Sequence, residues 1–158
     1  MAIVRILIDG YSLLHRWGEL ANGHPRHSAL ARDELIHWLT QYRDTIGTPI
    51  TVFFDGAGAP AGTPKAVSTR EMEVLYSKRG QTADSMIERA AYRFRTVGEV
   101  LVVTDDVAER DTVLSVGASV SSCGQFIQAA SLALNEQHRE LHHHNRKERS
   151  AFRSPSNH

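Results

Sequence analysis

Short apolar runs alternate along this chain with longer stretches of helical spacing. Ile3 to Ile8 is nearly continuous and β-branched. That pattern predicts a strand buried on both faces, as in a parallel sheet. It closes at Asp9-Gly10-Tyr11-Ser12. Residues 15–27 hold Gly18, Asn22, Gly23 and Pro25 and read as a loop. Ser28 is an N-cap for a helix carrying Leu30, Leu35, Trp38, Leu39, Tyr42 and Ile46, ended by Gly47 and Pro49. Ile50 to Phe54 is a second apolar strand, closed by Asp55-Gly56. Residues 56–68, rich in Gly, Ala and Pro, form a surface loop. Met72, Val74 and Tyr76 alternate with Glu71, Glu73 and Leu75 and predict a half-exposed third strand. Ser77 to Gln81 is a polar loop with two basic residues. A helix spans Ala83 to Thr96, with Ile87, Ala91 and Phe94 inward, and Gly98 breaks it. Val100 to Val103 is a fourth strand, ending in Thr104-Asp105-Asp106. A short helix over 107–116, a short strand over Ala118 to Ser121 and a helix over Gly124 to Leu134 complete the order.

Strands alternating with helices imply an α/β fold with a mainly parallel central sheet. Such sheets bind ligands outside the C-terminal ends of their strands. Three of the strands end in carboxylates: Asp9, Asp55, and Asp105 with Asp106. A fourth acid, Asp84, opens the helix after the third strand. One sheet edge therefore gathers acids from distant parts of the chain. Residues 1–135 form the domain. The segment 136–158 is polar and rich in His and Arg, and is read as a frayed helix passing into disorder. Its His142-His143-His144 run reads either as a metal ligand or as a solvated tail.

Composition narrows the function. Eighteen Lys and Arg balance eighteen Asp and Glu, so the chain is no globally basic nucleic-acid coat, and any such contact needs a local patch. The single Cys123 excludes an internal disulfide and a multi-cysteine zinc site, and is read as a small packing residue. No apolar run is long enough to span a bilayer or to serve as a signal-peptide core, so a cytoplasmic location is expected. The phosphate-cradling G-x-x-x-x-G-K-[ST] loop, the G-x-G-x-x-G turn and the G-x-S-x-G elbow are all absent. Asp9-Gly10-Tyr11 lacks the second Asp of aspartyl phosphatases. A response-regulator domain needs a Lys late in its sheet, and none occurs between Lys78 and Lys147.

Several carboxylates crowded into a partly desolvated site repel one another unless a cation sits among them. Oxygen donors without Cys, on rigid strand ends, suit Mg²⁺ or Mn²⁺. Such a cluster is the usual device for phosphodiester hydrolysis. Singly, each Asp also serves as a turn or N-cap residue, and Asp84 as a first-turn acid favoured by the helix dipole.

Four segments recur in the same order in one family. They are Ile6-Leu7-Ile8-Asp9-Gly10-Tyr11-Ser12, Phe53-Phe54-Asp55-Gly56, Tyr76-Ser77-Lys78-x-x-x-Thr82-Ala83-Asp84 with Ile87-Glu88, and Val103-Thr104-Asp105-Asp106. Together they resemble the NYN domains of the PIN-like nuclease group, in its bacterial YacP-like branch, over residues 3 to about 134. The resemblance implies a PIN-like three-layer α/β sandwich and metal-dependent endoribonuclease activity, with an association with ribosomes and mRNA. It places Asp9, Asp84 and Asp106 at the acidic catalytic and metal positions, adds Asp105 as an extra ligand, and makes Asp55 a supporting acid beside Glu88. The family's usual Asn in the first motif is Ser12 here, and its basic residues near the fifth strand are replaced by Val120-Ser121-Ser122.

The expected reaction is hydrolysis of single-stranded RNA, with Mg²⁺ or Mn²⁺ as cofactor and no side-chain nucleophile. Arg16, Lys78, Arg79 and Thr82 flank the predicted site for phosphates, with Ser12 as a hydrogen-bonding residue and Tyr11 as a stacking one. The alternative is a non-catalytic RNA-binding protein on the same fold.

Overall fold

In the computed structural model, residues 2–17, 28–56, 71–78 and 80–153 are described, with backbone alone from 142 onward. Five strands form one all-parallel sheet: β1 (Ile3–Asp9), β2 (Ile50–Phe54), β3 (Met72–Tyr76), β4 (Glu99–Val103) and β5 (Ser119–Ser121). Their spatial order is β3-β2-β1-β4-β5. The helices are α1 (Gly10–Arg16), α2 (Ala29–Ile46), α3 (Ala83–Phe94), α4 (Val107–Ser115) and α5 (Cys123–Arg153).

The two faces of each inner strand feed two separate cores. Ile6, Ile8, Val52 and Phe54 point to one side, where Leu13 and Leu14 of α1, Leu35 and Leu39 of α2, and Phe126 of α5 cover them. Leu7, Phe53, Val100 and Val102 point to the other, beneath Ile87 and Ala91 of α3 and Val113 of α4. This is a three-layer sandwich. It explains why β1 and β2 read as continuous apolar runs: both faces are buried.

Chain order reverses at β1. The chain moves outward from β1 to β2 and β3, then crosses by α3 to β4 on the far side of β1. The C-terminal ends of β1 and β4 therefore diverge into helices on opposite faces, which opens a crevice between them. Register keeps these ends level: Ile8 pairs with Val103, and Asp9 with Phe53.

Two expectations need correction. Residues 10–16 are helical, so helix reaches into the loop expected over 15–27, with Asp9 as N-cap accepting from the Ser12 amide. The final helix, expected over Gly124 to Leu134 with a frayed continuation from 136, runs unbroken from Cys123 to Arg153. It is tied to α2 through Thr45, whose hydroxyl donates to Gln137. The loop expected over 56–68 lies, beyond Gly56, outside the described residues, as does most of the one over 15–27.

The ends of β2 and β3 are locked together at Gly56. Its amide donates to the Ser77 hydroxyl at 2.9 Å, and that hydroxyl donates to Asp55 at 3.0 Å. A Cβ on Gly56 would fall inside the contact radius of the Ser77 carbonyl oxygen, a backbone atom that cannot swing aside. Gly56→Ala is expected to cost about 1–3 kcal/mol. Urea denaturation of the two chains checks this.

Candidate metal centre

Three helix N-termini meet at the C-terminal edge of the sheet, and each brings an acid. Asp9 ends β1 and caps α1, with Oδ1 accepting from the Ser12 amide at 3.3 Å. Asp84 lies in the first turn of α3, just after the cap Thr82. Glu109 lies in the first turn of α4, and its side chain turns inward to full burial. Asp9, Asp84 and Glu109 each present a carboxylate oxygen within 4.8 Å of the other two. Among the described residues this is the arrangement able to hold a metal ion.

The electrostatics are those of a site built for a cation. Burial pushes the Asp9 carboxyl up from 3.8 to about 6. Hydrogen bonds from Ser12 oppose the rise, while the Asp84 and Asp106 charges add to it. Glu109 is raised further, first by burial, then by a hydrogen bond to Asp84 and by its charge. Glu109 Oε2 accepts from the Thr104 hydroxyl at 2.9 Å, while Oε1 is buried and meets no donor. Without a cation, Glu109 and Asp84 crowd one another. Hard carboxylate donors, a buried oxygen without a donor and mutual repulsion together fit a divalent cation such as Mg²⁺ or Mn²⁺.

A pH dependence follows. The folded chain holds the Asp9 proton up to about pH 6, whereas the unfolded chain releases it near 3.8. Between these values the folded state binds more protons, so stability falls as pH rises through the window. Metal-free protein is expected to be about 2 kcal/mol more stable at about pH 4 than at neutral pH from Asp9 alone. Denaturation in EDTA at the two pH values, with Asp9→Asn losing most of that difference, checks the sign.

The remaining site expectations land in different places. Asp106 and Asp105 lie at the rim, exposed, and serve helix ends. Asp106 Oδ1 accepts from the Ala108 and Glu109 amides at 3.0 and 3.3 Å. Asp105 Oδ1 accepts from the Cys123 amide at 2.9 Å, at the start of α5. Neither belongs to the three-acid cluster, although the Asp106 charge is felt at Asp9. Asp55 accepts from the Ser77 hydroxyl and ties the ends of β2 and β3 together. Glu88 is half-buried, one turn beyond Asp84. Ser12 orients Asp9, and the Thr82 hydroxyl caps α3 by accepting from Ser85.

Tyr11 is half-buried, edge-on to Phe54 at 5.1 Å between centroids. Its hydroxyl accepts from the buried Arg32 at 3.1 Å, so the ring is a fixed wall rather than a free platform. Arg16 is exposed and lies across Gly124, where a Cβ would stand 3.4 Å from its guanidinium. Lys78 is exposed, and Arg79 lies outside the described residues. Cys123 is buried, and burial, reinforced by the charges of Asp105 and Asp9, pushes its thiol up to about 12, so it is inert.

Glu109 is the residue that sequence reasoning missed. Its signal was present: Asp106-Val107-Ala108-Glu109 has the spacing of an N-cap followed by a Glu at the third helical position.

The model of the YacP-like NYN domain matches residues 6–157, nearly the whole chain. The chain belongs to the YacP-like NYN domain family. Among curated relatives it is 28% identical over 124 residues to YacP of Bacillus subtilis (strain 168), covering 78% of this chain and 72% of that one. Crystal structures of Rae1 (YacP) from Bacillus subtilis superpose with TM-scores of 0.76 and, for a W164L mutant, 0.74. Identities are 24% and 23%; coverage is 99% of this chain and 88% of that one, and 89% and 82% respectively. At that identity the structures establish the fold. NYN domains are nuclease-type domains that typically use divalent metals, in keeping with the acidic cluster here. No helix of this NYN domain is long and apolar enough, among the described residues, to cross a membrane.

Proposed function

We propose that this NYN domain is a metal-dependent endoribonuclease acting on single-stranded RNA. The observation that carries the reading is the convergence of Asp9, Asp84 and Glu109, from three distant segments, within 4.8 Å at the switch point of the sheet. Asp9, Asp84 and Glu109 would hold Mg²⁺ or Mn²⁺, with Asp105 and Asp106 at the rim within reach of further ligand water. The cation, when bound, supplies an activated water and cancels phosphate charge.

The chain's own residues set the geometry. Ser12 fixes Asp9, and Thr104 fixes Glu109 from beneath. The N-termini of α1, α3 and α4 lie at this sheet edge, where their dipoles favour an anionic phosphate. Lys78 and Arg16 are exposed and would meet neighbouring phosphates. Water adds to phosphorus in line and the P–O3′ bond breaks, leaving a 5′-phosphate and a 3′-hydroxyl. The substrate, on the family resemblance, is mRNA, engaged on the ribosome in the cytoplasm.

The test is a gel assay of end-labelled single-stranded RNA with Mn²⁺ or Mg²⁺, beside an EDTA control, followed by analysis of the product ends. Metal-dependent internal cleavage with 5′-phosphate ends is expected. Tight RNA binding without cleavage under any metal would instead make this a binding module.

A further inference from the structure

A second concavity opens on the α3 side of the sheet. α3 packs over β1, β4 and β2, and its flank toward β3 leaves a cavity of about 510 Å³. Its floor follows the two-residue rhythm of the strands. Phe53 and Leu75 lie level with Asp9 at the acid end, Leu7 shares the next row with Thr51 and Glu73, and Arg5 lies one step further down. Met86 and Phe94 of α3 form the wall. The polar floor is ordered: Arg5 donates to the Thr51 hydroxyl at 2.9 Å, which donates to Glu73 at 3.4 Å, and the Arg5 guanidinium lies over the Phe94 ring.

The rim carries charge of one sign. Arg89 and Arg93 stand one helical turn apart, about 6 Å along the axis, both exposed. Neither makes a hydrogen bond or ion pair among the described residues. In a chain with no net charge, this is a local cationic edge beside an apolar slot. The cavity also begins where the acid centre ends. Gln81, three residues before Asp84, lines one end, and Val97, past the C-terminus of α3, lines the other.

We propose that this cavity is a subsite for one nucleotide of the RNA strand held at the acid centre. The base lies over Phe53, Leu75 and Phe94, and the flanking phosphates meet Arg89 and Arg93. Charge complementarity, a volume suited to a nucleotide and continuity with the acid end favour this occupant over a protein segment. The inference rests on the proposed RNA substrate and deepens it.

The test measures anisotropy of a labelled single-stranded RNA of about 12 nucleotides against the full chain in EDTA, across a salt series. Arg89→Gln/Arg93→Gln is compared with wild type and with Arg110→Gln, an exposed arginine on α4. The double variant is expected to bind about tenfold more weakly. Its salt slope should fall by about 1.4, two phosphate contacts at about 0.7 each. Mn²⁺ affinity, measured by calorimetry, and the circular dichroism spectrum should be unchanged. If wild type binds and cleaves RNA but the double variant keeps its affinity and slope, the subsite is wrong and the nuclease reading stands. An equal loss in Arg110→Gln, or dimerisation abolished by the double variant in sedimentation, also overturns it. If wild type neither binds nor cleaves RNA, the proposed function itself fails.

Discussion

Asp9→Asn is expected to lower single-turnover cleavage of RNA at least a hundredfold, about 2.7 kcal/mol in barrier. The change is nearly isosteric, and Asn caps α1 as well as Asp does. Asp9 is also the acid that the other charges oppose, held up at about 6 by burial and by Asp84 and Asp106. Removing its charge therefore has opposite effects on two quantities. The metal-free fold should gain about 1–2 kcal/mol by losing a repelled, desolvated carboxylate. Cleavage should fall, because the lost charge is needed most when the phosphate gains negative charge in the transition state. Rapid-quench kinetics with Mn²⁺ and denaturation in EDTA measure the two together. A variant both slower and less stable would indicate damage to the fold instead.

Glu109→Gln should weaken Mn²⁺ binding tenfold or more, while Asp106→Asn should change it less than threefold, roughly 0.6 kcal/mol. The contrast follows from where the two side chains spend their oxygens. Glu109 is buried, bonded to Thr104 through one oxygen and without a donor on the other. Asp106 is exposed and already accepts two amides as the cap of α4, a task Asn performs equally. Calorimetric titration of the three chains with Mn²⁺ decides between them. Equal losses would put Asp106 among the ligands.

The architecture was legible in the sequence because both faces of β1 and β2 are buried, which leaves an uninterrupted apolar run. The convergence of Asp9 and Asp84 followed from the rule for strand ends in parallel sheets. The helix at 10–16 was not legible: it has seven residues and opens on glycine, which disfavours helix, so only its cap identifies it. The extension of α5 beyond Leu134 lacks apolar rhythm. Its Glu, Gln, Arg and Leu residues favour helix by propensity, a weaker signal than periodicity. At the site, Asp105 and Asp106 drew attention by sitting at a strand end. Glu109 escaped because its spacing after Asp106 marks only a helix start, while its inward turn depends on Thr104 beneath it.

The most direct test of the acid centre is an anomalous difference map from crystals of the full chain soaked in Mn²⁺. A peak about 2.0–2.3 Å from carboxylate oxygens of Asp9, Asp84 and Glu109 is the expected result. A peak held by Asp105 and Asp106 alone, or none at the three acids at saturating Mn²⁺, would contradict the account.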